Sequence, residues 1–333
     1  MDKISISTVT PVYRGAETLK KLVSEIQLYR EFLQESQGPL RLTESIFVDD
    51  GSQDNSNEVL KEIQKEYPWV KVITLSRNFG QHPATVAGVL HSSGDWIVTL
   101  DEDLQHDPKY IHQMLNKAVT DQLDIVYANS VDSIHGSFFR DKSSKLIKSM
   151  LGKITGNDSV PFFNSFRVIR GSIARVASAV SIDQTYFDVA LSWFTLRVGV
   201  IYIPLKDLRY IETKKSGYSI RSLFSHARKL IQSSNVKIVR IGLVLGFTVM
   251  IIGLAATVFI LIEKLFHPEL INSQGWTSLI ITILLLGGLN LFLVGLTLEN
   301  ISVLMMQTHG KPKFFEVDRQ SDKVLSDWFL NNN

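Results

Sequence analysis

Two stretches of this 333-residue chain carry no charge at all: Ile241 to Ile262, 22 residues, and Trp276 to Leu298, 23 residues. Each is long enough to cross a hydrocarbon core of roughly 30 Å as a helix. Lipid leaves a spanning segment no way to satisfy its backbone except an internal helical ladder, so the pair is read as a transmembrane hairpin over 241–306. Arg228, Lys229, Lys237 and Arg240 precede the first span, and Lys311 and Lys313 follow the second. The connecting loop holds only Glu263, Lys264, His267 and Glu269 among its titratable residues. The positive-inside bias therefore predicts both flanks in the cytoplasm. Gly242 and Gly246 form a small-xxx-small pair, and Gly287, Gly288 and Gly295 could also allow close packing.

Ahead of the hairpin, Ile220, Leu223, Phe224, Ala227, Leu230 and Ile231 share one helical face, with Arg221, Arg228 and Lys229 off it. Beside a membrane span this reads as an interfacial helix over 216–240. Residues 307–333 are read as a cytoplasmic tail. The net charge of +2 argues against a nucleic-acid binder, which would show a basic excess or stripe. The absence of cysteine removes any disulfide framework or thiolate metal site. No basic start followed by an apolar stretch appears in the first 20 residues, so no secretory signal is expected.

Residues 1–215 alternate short apolar runs with helical patterns. Ile4 to Thr10 reads as a strand leading into Pro11-Val12-Tyr13-Arg14-Gly15, and Leu19, Leu22, Val23, Ile26, Tyr29 and Leu33 fall at helical spacing. Ser45 to Val48 runs into Asp49-Asp50-Gly51, Val70 to Leu75 into Ser76-Arg77-Asn78-Phe79-Gly80, and Trp96 to Leu100 into Asp101-Glu102-Asp103. Further strands are expected at 124–128, 162–169 and 199–203. Such alternation predicts a doubly wound, parallel α/β sheet. In that architecture ligands bind at the carboxyl ends of the strands, where these acids would sit.

Two carboxylates one residue apart at a strand exit can hold a hard divalent cation through oxygen. Taken alone, Asp101-Glu102-Asp103 is equally readable as a solvated acidic turn, with Asp107 capping a helix that begins at Pro108. Asp49-Asp50-Gly51 also reads as a plain Asp-Gly turn. His82, His106, His112 and His135 show no metal-ligand spacing and are read as surface or packing residues.

The ordered series Pro11-Val12-Tyr13, Val48-Asp49-Asp50-Gly51-Ser52-Gln53-Asp54-Asn55-Ser56, Ser76-Arg77-Asn78-Phe79-Gly80 and Leu100-Asp101-Glu102-Asp103-Leu104-Gln105 resembles the motifs of family 2 inverting glycosyltransferases. Ser165-Phe166-Arg167, Lys215-Ser216-Gly217-Tyr218-Ser219 and the hairpin carry the likeness toward the polyprenyl-phosphate glycosyltransferases, over nearly the whole chain. The resemblance implies a Rossmann-like, GT-A type nucleotide-sugar domain followed by a two-helix transmembrane hairpin. It implies a plasma-membrane, multi-pass protein with both termini cytoplasmic. The implied reaction moves a hexose from a UDP- or GDP-sugar to a polyprenyl phosphate.

The same resemblance places Pro11, Tyr13, Asp49, Asp50 and Asp101 about the nucleotide sugar. Asp101 and Asp103 would hold Mg²⁺ or Mn²⁺, with Gln105 nearby. Arg167, then Arg140 and Lys215, would face the acceptor phosphate. Asp101, Asp103, Arg167 and Gln105 make up the expected catalytic group, while Glu102 is expected to face away. Ser165 stands where relatives commonly carry an acid, Gly217 where a lysine is frequent, and Asn300 follows Glu299 where an aromatic is usual. Transfer to another lipid or a glycan, and a non-catalytic membrane scaffold, are the other readings. Assembly as a homo-oligomer is compatible with the sequence.

Overall fold

The computed structural model describes residues 3–131, 159–181, 186–204, 237–266, 276–308 and 320–332. The N-terminal part is a seven-stranded sheet made of β1 (Ile4–Val12), β2 (Leu40–Asp49), β3 (Val70–Thr74), β4 (Trp96–Thr99), β5 (Ile125–Ser130), β6 (Arg167–Arg170) and β7 (Val198–Ile203). Their spatial order is β3-β2-β1-β4-β6-β5-β7. The chain winds outward from β1 through β2 to β3, then returns to place β4 on the other side of β1. This is a topological switch point, the place in an open α/β sheet where ligands bind outside the carboxyl ends of the strands.

The sheet is mixed rather than wholly parallel, which corrects the expectation for the third motif-bearing region. β6 runs antiparallel to both β4 and β5, while the remaining pairs are parallel. It begins at the edge where β5 ends, so it needs no crossover to the opposite edge. The consequence is positional: the residues entering β6 stand beside those leaving β4.

The helices α1 (Leu19–Glu35), α2 (Ser56–Glu66), α3 (Gln81–Leu90), α4 (Tyr110–Thr120), α5 (Gly171–Val180) and α6 (Phe187–Ser192) cover the two faces. α1 buries Leu19, Leu22, Val23, Ile26, Tyr29 and Leu33, the stripe its spacing predicts. β2, β4 and β6 are buried along nearly their full lengths, as apolar runs between two helical layers must be. β1 contains Pro11 without losing a ladder bond. It pairs with β4 only as far as Val9–Thr99, and the Pro11 nitrogen points to that side, beyond the end of β4.

α3 is seated on β1 and β2 through Gly88, where an added Cβ would lie 2.4 Å from Val9 Cγ1 and 3.0 Å from Val48 Cγ2. Gly88→Ala is expected to cost about 1–3 kcal/mol through overpacking, read as a lower urea midpoint with unchanged slope.

At the opposite edge from the acids, Glu44 accepts bonds from Ser7 Oγ (2.7 Å), the Ser93 N–H (2.7 Å), Ser93 Oγ (2.9 Å) and Lys71 Nζ (2.5 Å). Burial alone would raise its pKa, but these donors outweigh it and hold the carboxyl at about 2, against 4.5 ordinarily. The folded pKa is depressed, so this contribution is present above about pH 4.5 and disappears as pH falls toward 2. Glu44→Gln should flatten the acid limb of a stability-versus-pH curve over that window.

The segment read as a tail carries a helix over its described residues 320–332. α9 (Gln320–Asn332) packs on the sheet domain, with Leu325 and Phe329 buried in the same core cluster as α1 and α4 and Trp328 against it. His112 of α4 is edge-on to Phe32, Trp328 and Phe329, and burial lowers its pKa. Asp322 takes both branches of a bidentate bond from Arg170 Nη2 (2.9 and 2.8 Å). Arg170 also reaches Asp124 (3.1 Å) and lies 4.6 Å over the Trp96 ring. The signal was present in the sequence, since Leu325, Trp328 and Phe329 recur at i, i+3 and i+4.

The second compact unit is the helix pair α7 (Lys237–Phe266) and α8 (Trp276–Thr308). Segments Gly246–Phe266 and Leu279–Leu298 are long and apolar enough to cross a membrane. Within the pair, added Cβ atoms would meet the Leu291 backbone carbonyl carbon from Gly246 at 2.8 Å, the Met250 Cα from Gly288 at 2.8 Å and the Leu284 carbonyl oxygen from Gly253 at 3.2 Å. The contacts descend α8 as they ascend α7, and small residues let the two backbones approach. Gly287, by contrast, meets nothing within 4 Å.

Candidate active site

Three strand exits converge through backbone and side-chain bonds. After β2 the chain turns at Gly51, with φ 65°, where a Cβ would come within 2.6 Å of the Arg77 carbonyl carbon. Only glycine fits both the left-handed backbone and that approach. The turn brings Asp50 against the loop after β3. Its two oxygens accept the N–H groups of Phe79 (2.7 Å) and Gly80 (2.8 Å). Asp49 accepts the Ser52 N–H (2.9 Å) and Asn57 Nδ2 (2.9 Å). Both carboxylates are 2% exposed. They therefore build the turn that the Asp-Gly reading described, and the spare lone pairs of each carboxylate still allow a further acceptor role.

The loop held by Asp50 turns at Gly80, φ 98°, and delivers Gln81 as the first residue of α3. Gln81 Nε2 donates to Asp101 Oδ1 at 2.6 Å. From the other side Ser165 Oγ donates to Asp101 Oδ2 at 2.7 Å, while its own carbonyl accepts Thr99 Oγ1 at 2.6 Å. Asp101 is thus gripped between α3 and the entry to β6, with 21% of its side chain exposed.

Asp103 follows in the same loop and accepts the N–H (3.2 Å) and Nε2 (2.9 Å) of Gln105. Between them Leu104 adopts φ 63°, an uncommon conformation for a bulky side chain, and packs against the core beneath. Glu102 leans over Gly15, where a Cβ would lie 2.7 Å from its Cγ, so it turns toward β1 rather than lying between its neighbours. Tyr13 is 36% exposed at the β1 exit, with the Arg14 guanidinium 5.4 Å from its ring centroid.

The structure thus gathers Asp49, Asp50, Asp101, Asp103 and Gln105 on the carboxyl edges of β2 and β4, with Pro11 and Tyr13 beside them on β1. Arg167 is placed otherwise. It is 2% exposed, ion-paired with Asp188 of α6, and 4.9 Å from the Phe187 ring centroid. Tyr127 Oη donates to the same Asp188 oxygen at 2.7 Å. Burial works against the charge on Arg167, but Asp188 and the two tyrosines Tyr127 and Tyr186 outweigh it. A cation so enclosed is engaged in holding β5, β6 and α6 together, which differs from the expected phosphate contact. Arg140, Lys215, His135 and the 216–236 segment lie outside the described residues.

Among the described residues no group of three or more His, Asp or Glu side chains forms a cage for a metal ion. Two part-exposed carboxylates offering hard oxygen ligands nevertheless fit Mg²⁺ or Mn²⁺. Such ions are bound through one or two carboxylates and completed by water and substrate phosphates. The residues that sequence reading passed over are Gln81, Ser165, His106 and Asp188. Ser165 was visible as a departure from a motif, whereas the other three become recognisable only once the strands are ordered.

The acids thus stand at the switch point of an α/β sheet, where folds of this class bind their ligands. Residues 7–182, more than half of the chain, match the model of Glycosyl transferase family 2, and the chain belongs to that family and is a glycosyltransferase. Among curated proteins it is 27% identical over 311 residues to undecaprenyl-phosphate 4-deoxy-4-formamido-L-arabinose transferase of Edwardsiella ictaluri (strain 93-146), covering 93% of this chain and 92% of that one. It is 28% identical over 312 residues to the protein of the same name from Proteus mirabilis (strain HI4320), with the same coverages. Among solved structures, mannosyl-3-phosphoglycerate synthase from Rubrobacter xylanophilus superposes with a TM-score of 0.48 at 14% identity, over 69% of this chain and 72% of that one.

Proposed function

We propose that the protein transfers one sugar, a hexose, from a UDP- or GDP-sugar to a polyprenyl phosphate at the cytoplasmic face of the plasma membrane, with inversion at the anomeric carbon. The observation that carries this reading is Asp101, held by Gln81 and Ser165 and followed by Asp103, at the exit of the central strand of a family 2 domain. The curated relatives, matched nearly end to end, are named for transfer to undecaprenyl phosphate, which favours a lipid phosphate over a glycan acceptor. The apolar helix pair supports an acceptor that lives in a bilayer.

Asp101 and Asp103 would hold Mg²⁺ or Mn²⁺ against the donor diphosphate, and Gln81, Ser165 and Gln105 orient the two carboxylates. When bound, the cation neutralises charge growing on the departing nucleoside diphosphate. Asp50 fixes the 76–80 loop and, with Tyr13 and Asp49, borders the nucleoside. The acceptor monophosphate has a second pKa near 6 and arrives largely ionised, so no strong general base is required of this chain. What the acceptor side needs is cations, and Arg140 and Lys215 are assigned to it.

Both flanks of the hairpin are assigned to one side. α9 follows α8 in sequence yet packs on the domain that precedes α7, so the chain crosses an even number of times between them. The basic flanks assign that side to the cytoplasm.

The test is transfer by the purified full-length protein in detergent, with undecaprenyl phosphate, Mg²⁺ or Mn²⁺, and a panel of labelled UDP- and GDP-hexoses plus a nucleotide-linked 4-deoxy-4-formamido-L-arabinose. Lipid-linked product from one hexose donor is expected, and product from the arabinose donor alone replaces the hexose. Failure of every donor to bind or turn over overturns the proposal, and turnover only with another lipid or a glycan replaces the acceptor.

A further inference from the structure

His106 has no role in the scheme above, yet it is bonded to the main chain of Asp101. It is 3% exposed in an otherwise polar loop. Its ring lies nearly parallel to that of Phe166, with centroids 4.9 Å and planes 17° apart. Its Nδ1 accepts the Asp101 N–H at 2.9 Å and stands 4.0 Å from Asp101 Oδ2. Accepting at Nδ1 leaves the ring proton on Nε2. This adds a hydrogen bond to the packing role expected of His106.

The bond is placed where the β4 ladder runs out. The Leu100 N–H still reaches Val9 across the sheet, but Asp101 lies two residues past the end of β4, and its N–H turns to His106 instead of to a neighbouring strand. His106 supplies that acceptor from five residues downstream, in a ring whose angle is set by Phe166. Ser165, the neighbour of Phe166, holds the carboxylate end of the same residue. Two consecutive residues entering β6 thus fix Asp101 at both ends, one directly and one through the imidazole. Outer-shell bonds of this kind orient a ligand that would otherwise rotate about its backbone.

We propose that His106 is a positioning residue for sugar transfer, fixing the Asp101 main chain so that its carboxylate is presented to the cation on the donor diphosphate. The inference rests on the assignment of Asp101 and Asp103 to that cation. It predicts that the acceptor nitrogen, and not the ring's bulk, is what matters.

Two substitutions separate these. His106→Phe keeps a ring to stack on Phe166 and removes the acceptor; His106→Asn keeps an acceptor near the Nδ1 position and gives up the stacking. Mn²⁺ binding by the full-length protein in detergent with UDP or GDP, followed by the loss of the free-ion electron paramagnetic resonance signal, reads the effect without turnover. His106→Phe should bind Mn²⁺ about 10- to 100-fold more weakly while melting cooperatively, and His106→Asn should stay close to wild type. The reverse order, or two unaffected variants, overturns the proposal.

A ¹⁵N spectrum of histidine-labelled wild type gives a further check that needs no variant. His106 must be the Nε2–H tautomer, and an Nδ1–H tautomer overturns the proposal even if His106→Phe fails to fold. A wild type that binds no Mn²⁺ with either UDP or GDP removes the underlying reading and this proposal with it. Wild-type binding together with an unaffected His106→Phe removes this proposal alone.

Discussion

Asp103→Ala abolishes metal-dependent transfer while leaving the fold in place: the expected fall is at least about 10³-fold, or about 4 kcal/mol of transition-state stabilisation. The size follows from charge. On the proposed reading the departing group is a nucleoside diphosphate, and a carboxylate pair reduced to one ligand would hold its counter-cation poorly. The fold is spared because Asp103 is half-buried in an excursion beyond β4, where its carboxylate receives Gln105 from its own loop. A Tm within a few degrees of wild type is therefore expected, as for a substitution outside the packed core. The same variant decides between an enzyme and a scaffold. If the cellular effect of the protein survives in Asp103→Ala while transfer disappears, the biological role does not depend on turnover.

The second large effect concerns Arg167 and is one of stability. Arg167→Met leaves Asp188 buried without its cation and facing Tyr127, and removing one partner of a buried pair costs about 3–5 kcal/mol. For a domain of this size that corresponds to a Tm lower by roughly 10 °C. Asp188→Leu should lose a similar amount, because it strands Arg167 in the same way. The combination Arg167→Met, Asp188→Leu, Tyr127→Phe removes the whole polar set and should recover most of the loss, since apolar groups of similar volume often replace a buried pair without penalty.

Transfer measured on these variants then assigns the arginine. Activity that follows the folded fraction and returns in the triple variant marks Arg167 as a strut beneath the site. A triple variant that is stable and inactive would return Arg167 to the acceptor phosphate. The enclosure of its guanidinium, 2% exposed and shared between Asp188 and the Asn164 carbonyl, favours the first outcome.

How much of this could be read from the residues alone differs between the two sides of the site. Asp101, Asp103 and Gln105 were legible because they sit within five residues at the end of one apolar run, so local chain geometry suffices to place them together. Asp50 was legible as an acid at a strand exit, but its bonds to the Phe79 and Gly80 N–H groups were not. They join loops separated by 29 and 30 residues. Gln81 and Ser165 reach Asp101 across separations of 20 and 64 residues and exist only because β1 and β6 lie on either side of β4. The pairing of Arg167 was hidden for the complementary reason. A motif argues for what a side chain can bind, whereas the partner it does bind, Asp188 of α6, carries no motif.

Periodicity and the placement of charge were enough to determine the alternating α/β framework, the acid-tipped strands and two segments of membrane-crossing length, because those properties follow from neighbours a few residues apart. Packing decided the rest. It reversed β6, which brought the residues entering that strand up to Asp101. It drew α9 back onto the sheet domain and paired Arg167 inside the core. The physical reason is that each of these depends on which distant surfaces are buried against one another, and burial is a property of the whole chain's arrangement that no local window contains.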